Sequence, residues 1–387
     1  MKQILCMNPI SPMGTDRFGA DYTVGTDVKN PEGILVRSAS LHDLPFEENL
    51  LAVARAGAGV NNIPLDRCSE AGIVVFNTPG ANANAVKELV LAAMLLTSRK
   101  IIRGNQWVGG LKGDPALSKT VEQGKGQFAG PEIKGKTLGV IGLGAIGILV
   151  ANAAKSLGMT VYGYDPYLSV DSAWHLSHSV NISASLDEIY QNADYLSLHL
   201  PLLPDTKYMI SAETLQKMKP GIRILNFARG ELVNTEDLLS GIADGTVAAY
   251  ATDFPDDRLL GIDQVLALPH LGASTPESED NCAVMAVDQM KEYLENGNII
   301  NSVNMPALTL PREKGTRLCI IHQNRPKIIG HISSACGRAN VNIDNMLSKS
   351  RGSYAYTVLD VSDAVSEEAL KNLADMEEII RVRVIEG

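Results

Sequence analysis

The sequence predicts an α/β protein built from a doubly wound parallel sheet, a second α/β lobe ahead of it, and a small C-terminal module of the ferredoxin-like βαββαβ plan. Three observations carry this. From Lys136 onward, short apolar runs at 137–141, 160–164, 194–199, 222–226, 247–252 and 264–268 alternate with helical patterns, as parallel strands with crossover helices do. Residues 1 to about 80 repeat the alternation in shorter units. Beyond Pro306 and Pro311, roughly 70 residues carry a strand–helix–strand–strand–helix–strand order of their own. At 387 residues the chain is too long for one ordinary core.

In chain order, apolar runs at 4–7, 33–36, 50–54 and 73–76 each end in a Gly/Pro/Asn-rich break, which suits buried parallel strands. A long apolar-periodic helix is expected over 84–103. The glycine-rich stretch 104–135 shows little periodicity and reads as a surface excursion. Ser185-Leu-Asp-Glu188 resembles a capping box opening a connecting helix. Ser274-Thr-Pro276 supplies a cap and an N1 proline for a helix that runs to about Asn296, where Gly297 stops it. Residues 303–315 read as an extended linker. Strands near 316–322, 341–349, 353–361 and 379–385, with helices near 326–338 and after Ser366, complete the last module.

Composition narrows the function. With 45% hydrophobic and 20% charged residues the chain is globular. Its longest apolar stretches, 89–96 and 137–150, are too short or too glycine-broken to span a bilayer, and residues 1–10 lack a secretory signal pattern. Five scattered cysteines suit free thiols in a reducing cytoplasm, and no Cys/His cluster points to a metal; His175 and His178 are a weak signal by spacing alone. A net charge of −10 argues against nucleic-acid or anionic-membrane partners. An anionic ligand then needs a locally basic pocket, so single arginines carry weight.

The cofactor motif lies at 137–147. A strand runs directly into Gly142-Leu-Gly144-Ala-Ile-Gly147, and a helix follows. In that context Gly142 permits the tight turn, Gly144 lets a pyrophosphate approach the backbone, and Gly147 lets helix and strand pack closely. The second strand ends in Asp165, eighteen residues beyond Gly147. A carboxylate there accepts hydrogen bonds from an adenosine ribose and repels a 2′-phosphate, which favours NAD over NADP.

Hydride transfer from a secondary alcohol needs a base for the hydroxyl proton and a cation for the neighbouring carboxylate. In a doubly wound sheet both belong just beyond the carboxyl ends of strands. Arg229 follows the strand ending at Asn226, and His270 follows the strand near 264–268. Read alone, Arg229 could equally be a solvated surface residue and His270 a structural histidine; His199, at another strand end, ranks lower for catalysis.

Over essentially the whole chain the sequence resembles the D-isomer-specific 2-hydroxyacid dehydrogenases. The resemblance is carried by Arg55-Ala-Gly-Ala-Gly-Val-Asn-Asn-Ile63, Asn77-Thr-Pro79, the glycine motif, Leu200-Pro-Leu-Leu-Pro204, Ala228-Arg-Gly230 and Pro269-His-Leu-Gly-Ala-Ser-Thr275. It implies a Rossmann NAD domain over 84–274 and a flavodoxin-like substrate lobe from 1–83 with 275–303. A linker at 304–315 would lead to a ferredoxin-like ACT domain over 316–387. It implies that Arg229 clamps the substrate carboxylate as a bidentate fork and that His270 is the acid/base. Around NAD it places Thr78, Gly142, Gly144, Ala145, Ile146, Gly147, Asp165, Leu200, Phe227, Ala228, Arg229, Asp253, His270, Gly272 and Ala273. The family pairs its histidine with a Glu, but here Asp253-Phe-Pro-Asp-Asp-Arg258 puts Arg258 at that count. Asp257 is the first choice for the missing carboxylate, Asp256 the second; otherwise both are solvated turn residues.

The resemblance makes 3-phosphoglycerate the first choice of substrate, with Arg37, Arg55 and Asn77 available to it. Alternatives are another D-2-hydroxy acid, such as glycerate or lactate, or a non-catalytic module that senses NAD; retaining both Arg229 and His270 argues against the last. An ACT domain implies an amino-acid effector, L-serine in enzymes of this family that carry one, bound between subunits of a homodimer or homotetramer. His322, Asn324 and Asn342 match the family's serine contacts, while Lys327 stands where the pattern has Gly.

Overall fold

The computed structural model describes residues 1–312, 315–362 and 365–386, so Glu313 and Lys314 of the expected linker, and Asp363, Ala364 and Gly387 of the last module, lie outside the described residues. The chain divides into two compact units: Met1–Asn82 with Pro276–Gly387, and Ala83–Thr275.

The first unit opens with β1 (Lys2–Cys6), β2 (Tyr22–Gly25), β3 (Gly33–Val36), β4 (Ala52–Arg55) and β5 (Val74–Phe76). They form an all-parallel sheet in the order β2-β1-β3-β4-β5, the flavodoxin-like order. The sequence reading missed β2, a short edge strand with little burial and hence little apolar signal. Residues 26–32 and 37–51 connect strands without helices. The helix Pro276–Asn296 returns to cover this sheet and packs so closely that a Cβ on Gly33 would lie 2.6 Å from the Met290 sulfur.

The second unit holds β6 (Thr137–Ile141), β7 (Thr160–Tyr164), β8 (Asn181–Ile182), β9 (Tyr195–Leu198), β10 (Ile222–Asn226), β11 (Val247–Thr252) and β12 (Val265–Ala267). All are parallel, in the order β12-β11-β10-β9-β6-β7-β8, with the topological switch between β6 and β9. β6 and β9 are buried along almost their whole length, as a sheet covered on both faces requires. Ser185 caps its helix through the Glu188 N–H, but the Glu188 carboxylate turns to the Ser183 hydroxyl at 2.5 Å, so only half of a capping box forms.

Two expectations need correction. The helix over 84–103 is two helices, Ala83–Ser98 and Ile101–Gly110. The break falls where the Ser98 hydroxyl folds back onto the Met94 carbonyl and meets the buried Tyr195 hydroxyl at 2.7 Å. The stretch at 104–135 is a surface excursion, as expected, but a partly helical one: it continues that second helix and adds Leu117–Gly124 and a 3-10 turn, Lys125–Phe128. Neither helix buries a residue, so no core-facing period marked them in the sequence.

The C-terminal module, β13 (Thr316–Gln323), β14 (Ile343–Arg351), β15 (Tyr354–Val361) and β16 (Ile379–Ile385), is antiparallel in the order β14-β15-β13-β16. Leu318, Ile320 and Leu359 pack on one side against Ile332 and Leu373 of the helices Ile328–Arg338 and Glu367–Ala374. On the other side, Cys319, Ile321, Tyr356 and Val358 join the core of the first lobe, together with Ile4, Leu35, Tyr293 and Leu294.

Arginines lock this docking. Arg317, 1% exposed, forms a fork with Asp360 at 2.6 and 2.8 Å and donates to the carbonyls of Asn296, Leu310 and Pro311. Arg381 donates to the carbonyls of Leu50 and Ala71, and Arg351 to that of Ser302. The described part of the expected linker is therefore no slack tether. Asn304 bridges Val75 and Ile73, and Met305 and Leu308 are buried.

Candidate active site

The turn after β6 is shaped by sterics. Gly142 has φ +93°, and a Cβ there would lie 2.5 Å from the His199 carbonyl oxygen. A Cβ on Gly147 would stand 1.9 Å from the Gly142 carbonyl oxygen, so only glycine lets the helix start so close to its strand. Gly144 is different: nothing lies within 4 Å of a Cβ placed on it, which leaves room for a ligand. The helix Ala145–Ser156 begins there with no side-chain cap, so its first N–H groups face outward as an anion site.

Asp165 ends β7 and is half-buried. One carboxylate oxygen accepts from the Leu143 N–H and the other from the Tyr167 N–H, both at 2.9 Å. It thus braces the glycine turn, and its remaining lone pairs suit two ribose hydroxyls. An open glycine, an uncapped helix N-terminus and a strand-end carboxylate together fit a dinucleotide.

The catalytic candidates lie at the carboxyl ends of β10 to β12 in the same sheet. Arg229 is exposed, just after β10. Its turn is organised by Asn226, which is fully buried: Nδ2 donates to the Arg229 carbonyl at 2.8 Å, and Oδ1 accepts from the Ala228 N–H. Sequence reasoning passed over Asn226, although an amide, a residue type depleted in strands, closing a buried strand was a visible signal.

His270 is also exposed, its ring 4.7 Å from that of Phe254. Asp253 is 1% exposed; its Oδ2 accepts the Gly272 N–H at 3.0 Å, and its Oδ1 is buried without a partner. Burial pushes its carboxyl up, while the Gly272 N–H and the nearby His270 charge pull it down.

The expected partner of His270, Asp257, is exposed, and among the described residues no hydrogen bond or ion pair joins the two. Asp257 lines a cavity of about 470 Å³ with Glu231, Asp256 and Arg258, and His270 is not in its wall. Asp256 is committed elsewhere: the Arg258 guanidinium holds it well below the usual carboxylate range, and Arg258 also pairs with Glu236 at 2.6 Å. Arg258, at the position of the family's Glu, is thus taken up by its own carboxylates. The His199 ring resists protonation. Burial pushes it down to about 4, and its Nε2 meets the Ser197 hydroxyl at 2.8 Å.

In the first unit, Arg55 ends β4 and donates to the Arg37 carbonyl at 3.0 Å, and Arg37 pairs with Glu279 at 2.7 Å. Asn77 donates to the Ala58 carbonyl and Thr78 is fully buried, its hydroxyl unpaired.

In the C-terminal module, the structure does not present His322 to a ligand. The ring is 1% exposed, with Nδ1 on the Gln323 carbonyl and Nε2 on the Thr357 hydroxyl, each at 2.8 Å. Asn324 and Asn342 are exposed; Asn324 holds the Gly352 carbonyl and Asn342 the Asp344 carboxylate. Lys327 takes the left-handed conformation, φ +73°, that a glycine would adopt without strain. Among the described residues no His/Cys/Asp/Glu group could hold a metal ion, and no helix is long and apolar enough to cross a membrane.

Comparison with known proteins agrees with this geometry. Residues 91–272 match the family model of the D-isomer specific 2-hydroxyacid dehydrogenase NAD binding domain, and residues 316–378 match the ACT domain. The chain is 32% identical over 351 residues to a D-3-phosphoglycerate dehydrogenase of Haemophilus influenzae, covering 87% of this chain and 81% of that one. Its similarity to the enzyme of that name from Escherichia coli K12 is 32% over 362 residues, 87% and 82% of the two chains. Among solved structures, the NAD+-bound 3-phosphoglycerate dehydrogenase of Entamoeba histolytica is 26% identical with a TM-score of 0.59, over 79% of this chain and 99% of that one.

Asp165→Ala is expected to weaken NAD binding and relax discrimination against NADP, because it removes the brace on Leu143 and the carboxylate that suits the ribose hydroxyls. Michaelis constants for the two cofactors test this; an unchanged preference would put the ribose contact elsewhere.

Proposed function

The chain belongs to the D-isomer specific 2-hydroxyacid dehydrogenase family, and from that premise we propose that it oxidises D-3-phosphoglycerate to 3-phosphohydroxypyruvate with NAD, the first step of L-serine biosynthesis. The observation that carries the reading is the placement of Arg229 and His270 beyond β10 and β12 of the sheet that bears the dinucleotide turn. Bound NAD supplies the hydride acceptor. It is held by the Gly142–Gly147 turn and Asp165, with Thr78, Ala145, Ile146, Leu200, Phe227, Ala228, Asp253, Gly272 and Ala273 around it.

Arg229 grips the C1 carboxylate with its planar fork and draws electron density from the C2 oxygen. His270 takes the C2 hydroxyl proton as the C2 hydrogen leaves with its electron pair, and the product is the 2-oxo acid. Of the two aspartates, Asp253 rather than Asp257 holds the loop that carries His270, through the Gly272 N–H. Residues 1–83 with 275–303 form the substrate lobe, where Asn77, Arg55 and Arg37 attend the phosphate end; Arg37 must leave Glu279 to do so. Residues 84–274 form the cofactor domain, and 304–315 lead to the regulatory domain at 316–387.

We assign the protein to the cytoplasm, as a homodimer or homotetramer. L-Serine is the proposed effector, bound between two copies of the ACT domain. The amides of Asn324 and Asn342 suit its ammonium, carboxylate and hydroxyl. His322 acts behind them, holding the Gln323 carbonyl and so the loop that carries Asn324.

NADH formation across a panel of 2-hydroxy acids tests the activity. D-3-Phosphoglycerate should give the highest kcat/KM, and preference for glycerate or lactate would reassign the substrate. His270→Ala should lower kcat by about a hundredfold or more, the usual reach of a general base, with the NAD dissociation constant nearly unchanged. Arg229→Lys should raise KM for the hydroxy acid, since a point charge cannot replace the fork. Near-normal turnover in His270→Ala would contradict the assignment. L-Serine should inhibit the wild type but not Asn342→Ala; calorimetry showing no serine binding to the intact protein at millimolar concentration would remove the effector from the account.

A further inference from the structure

Arg229 and His270 must meet one substrate, yet they stand on turns that follow strands separated by β11. Strands lie about 4.8 Å apart, so these turns start roughly 10 Å from each other. The described hydrogen bonds include none directly between the two residues. Something must fix their spacing.

Polar side chains buried beneath them hold both turns to β11. Asn226, at the end of β10, donates to the Arg229 carbonyl at 2.8 Å and to the Tyr250 hydroxyl on β11 at 3.2 Å. Two residues further along β11, the Thr252 hydroxyl accepts the Phe254 N–H at 3.0 Å. Phe254 then touches both turns: its ring lies 4.7 Å from His270, and its Cβ is 3.4 Å from where a Cβ on Gly230 would stand. Asn226 and Thr252 are fully buried and Tyr250 is 2% exposed. A tyrosine hydroxyl so deep in a sheet is costly unless hydrogen-bonded, and a phenylalanine would fill the space without that cost.

Resting on the reading that Arg229 and His270 act on one substrate, we propose that Tyr250, with Asn226 and Thr252, is a positioning residue. Asn226–Tyr250 ties β10 to β11 and Thr252 holds Phe254 beside His270, and this relay of contacts through β11 sets the distance between the carboxylate clamp and the acid/base. The relay touches neither substrate nor cofactor. It spans only the two turns, so disturbing it should impair substrate alignment and spare dinucleotide binding.

Tyr250→Phe tests this by removing one oxygen and no packing volume. In the full-length protein we expect KM for D-3-phosphoglycerate to rise and kcat to fall, with kcat/KM down about tenfold, the effect of one misplaced hydrogen bond. NADH affinity and binding stoichiometry, read by fluorescence titration, should stay at wild-type values. Thr252→Val should reproduce the pattern, and keeps the question open to refutation should Tyr250→Phe fail to fold. In an Asn226→Ala background Tyr250→Phe should cost little more, because the Tyr250 hydroxyl has already lost its partner on β10. Unchanged kcat/KM per NADH-binding site in Tyr250→Phe, beside an active wild type, overturns the relay alone. A wild type without turnover on any 2-hydroxy acid overturns the functional reading and the relay with it.

Discussion

The cofactor end of this protein depends on one steric constraint: the Gly142 carbonyl lies so close to Gly147 that a Cβ on Gly147 would stand 1.9 Å away. Only with glycine there can β6 pass directly into its helix, and only then do that helix's free N–H groups sit at the sheet's carboxyl edge. The rest is placed by the same edge. Asp165 braces the turn through Leu143, and the parallel order brings the turns after β10, β11 and β12 to the same side. An acidic chain can thereby offer a local anion site built from backbone dipoles and a few arginines, without a basic surface.

A second constraint governs the C-terminal module. One face of its sheet carries its own helices, while the other shares a core with the first lobe, and Arg317 ties it to the end of the helix Pro276–Asn296 and to the chain at 310–311. Removing either partner of a buried pair such as Arg317–Asp360 costs about 3–5 kcal/mol, so the dock is stiff. A ligand bound to this module would act on the first lobe through packed side chains. Linkage requires that it favour one arrangement of that lobe over another.

The sequence made most of this legible, for physical reasons that differ by element. Buried parallel strands such as β3 and β6 announced themselves as mostly apolar runs, and the glycine fingerprint and Gly297 as backbone requirements. The edge strand β2 and the exposed helices at 101–124 did not, because hydrophobic periodicity reports burial and they bury little. At the candidate site, Arg229, His270 and Asp165 stand just beyond strand ends, where their places in the sequence predicted them. The Asp257 expectation came from counting along a loop, and counting cannot see that Asp256 and Arg258 pair with each other while Asp253 reaches Gly272. His322 matched a pattern, but its burial and its bonds to Gln323 and Thr357 depend on strand pairing that no local motif encodes.

Direct hydride transfer from C2 of a phosphorylated 2-hydroxy acid to bound NAD is the step on which the function rests. The sharpest measurement uses D-3-phosphoglycerate deuterated at C2, with mass analysis of the reduced cofactor. The account predicts one deuterium on every reduced nicotinamide, delivered to a single face. Reduced cofactor free of deuterium, or no reduction at all, would contradict it.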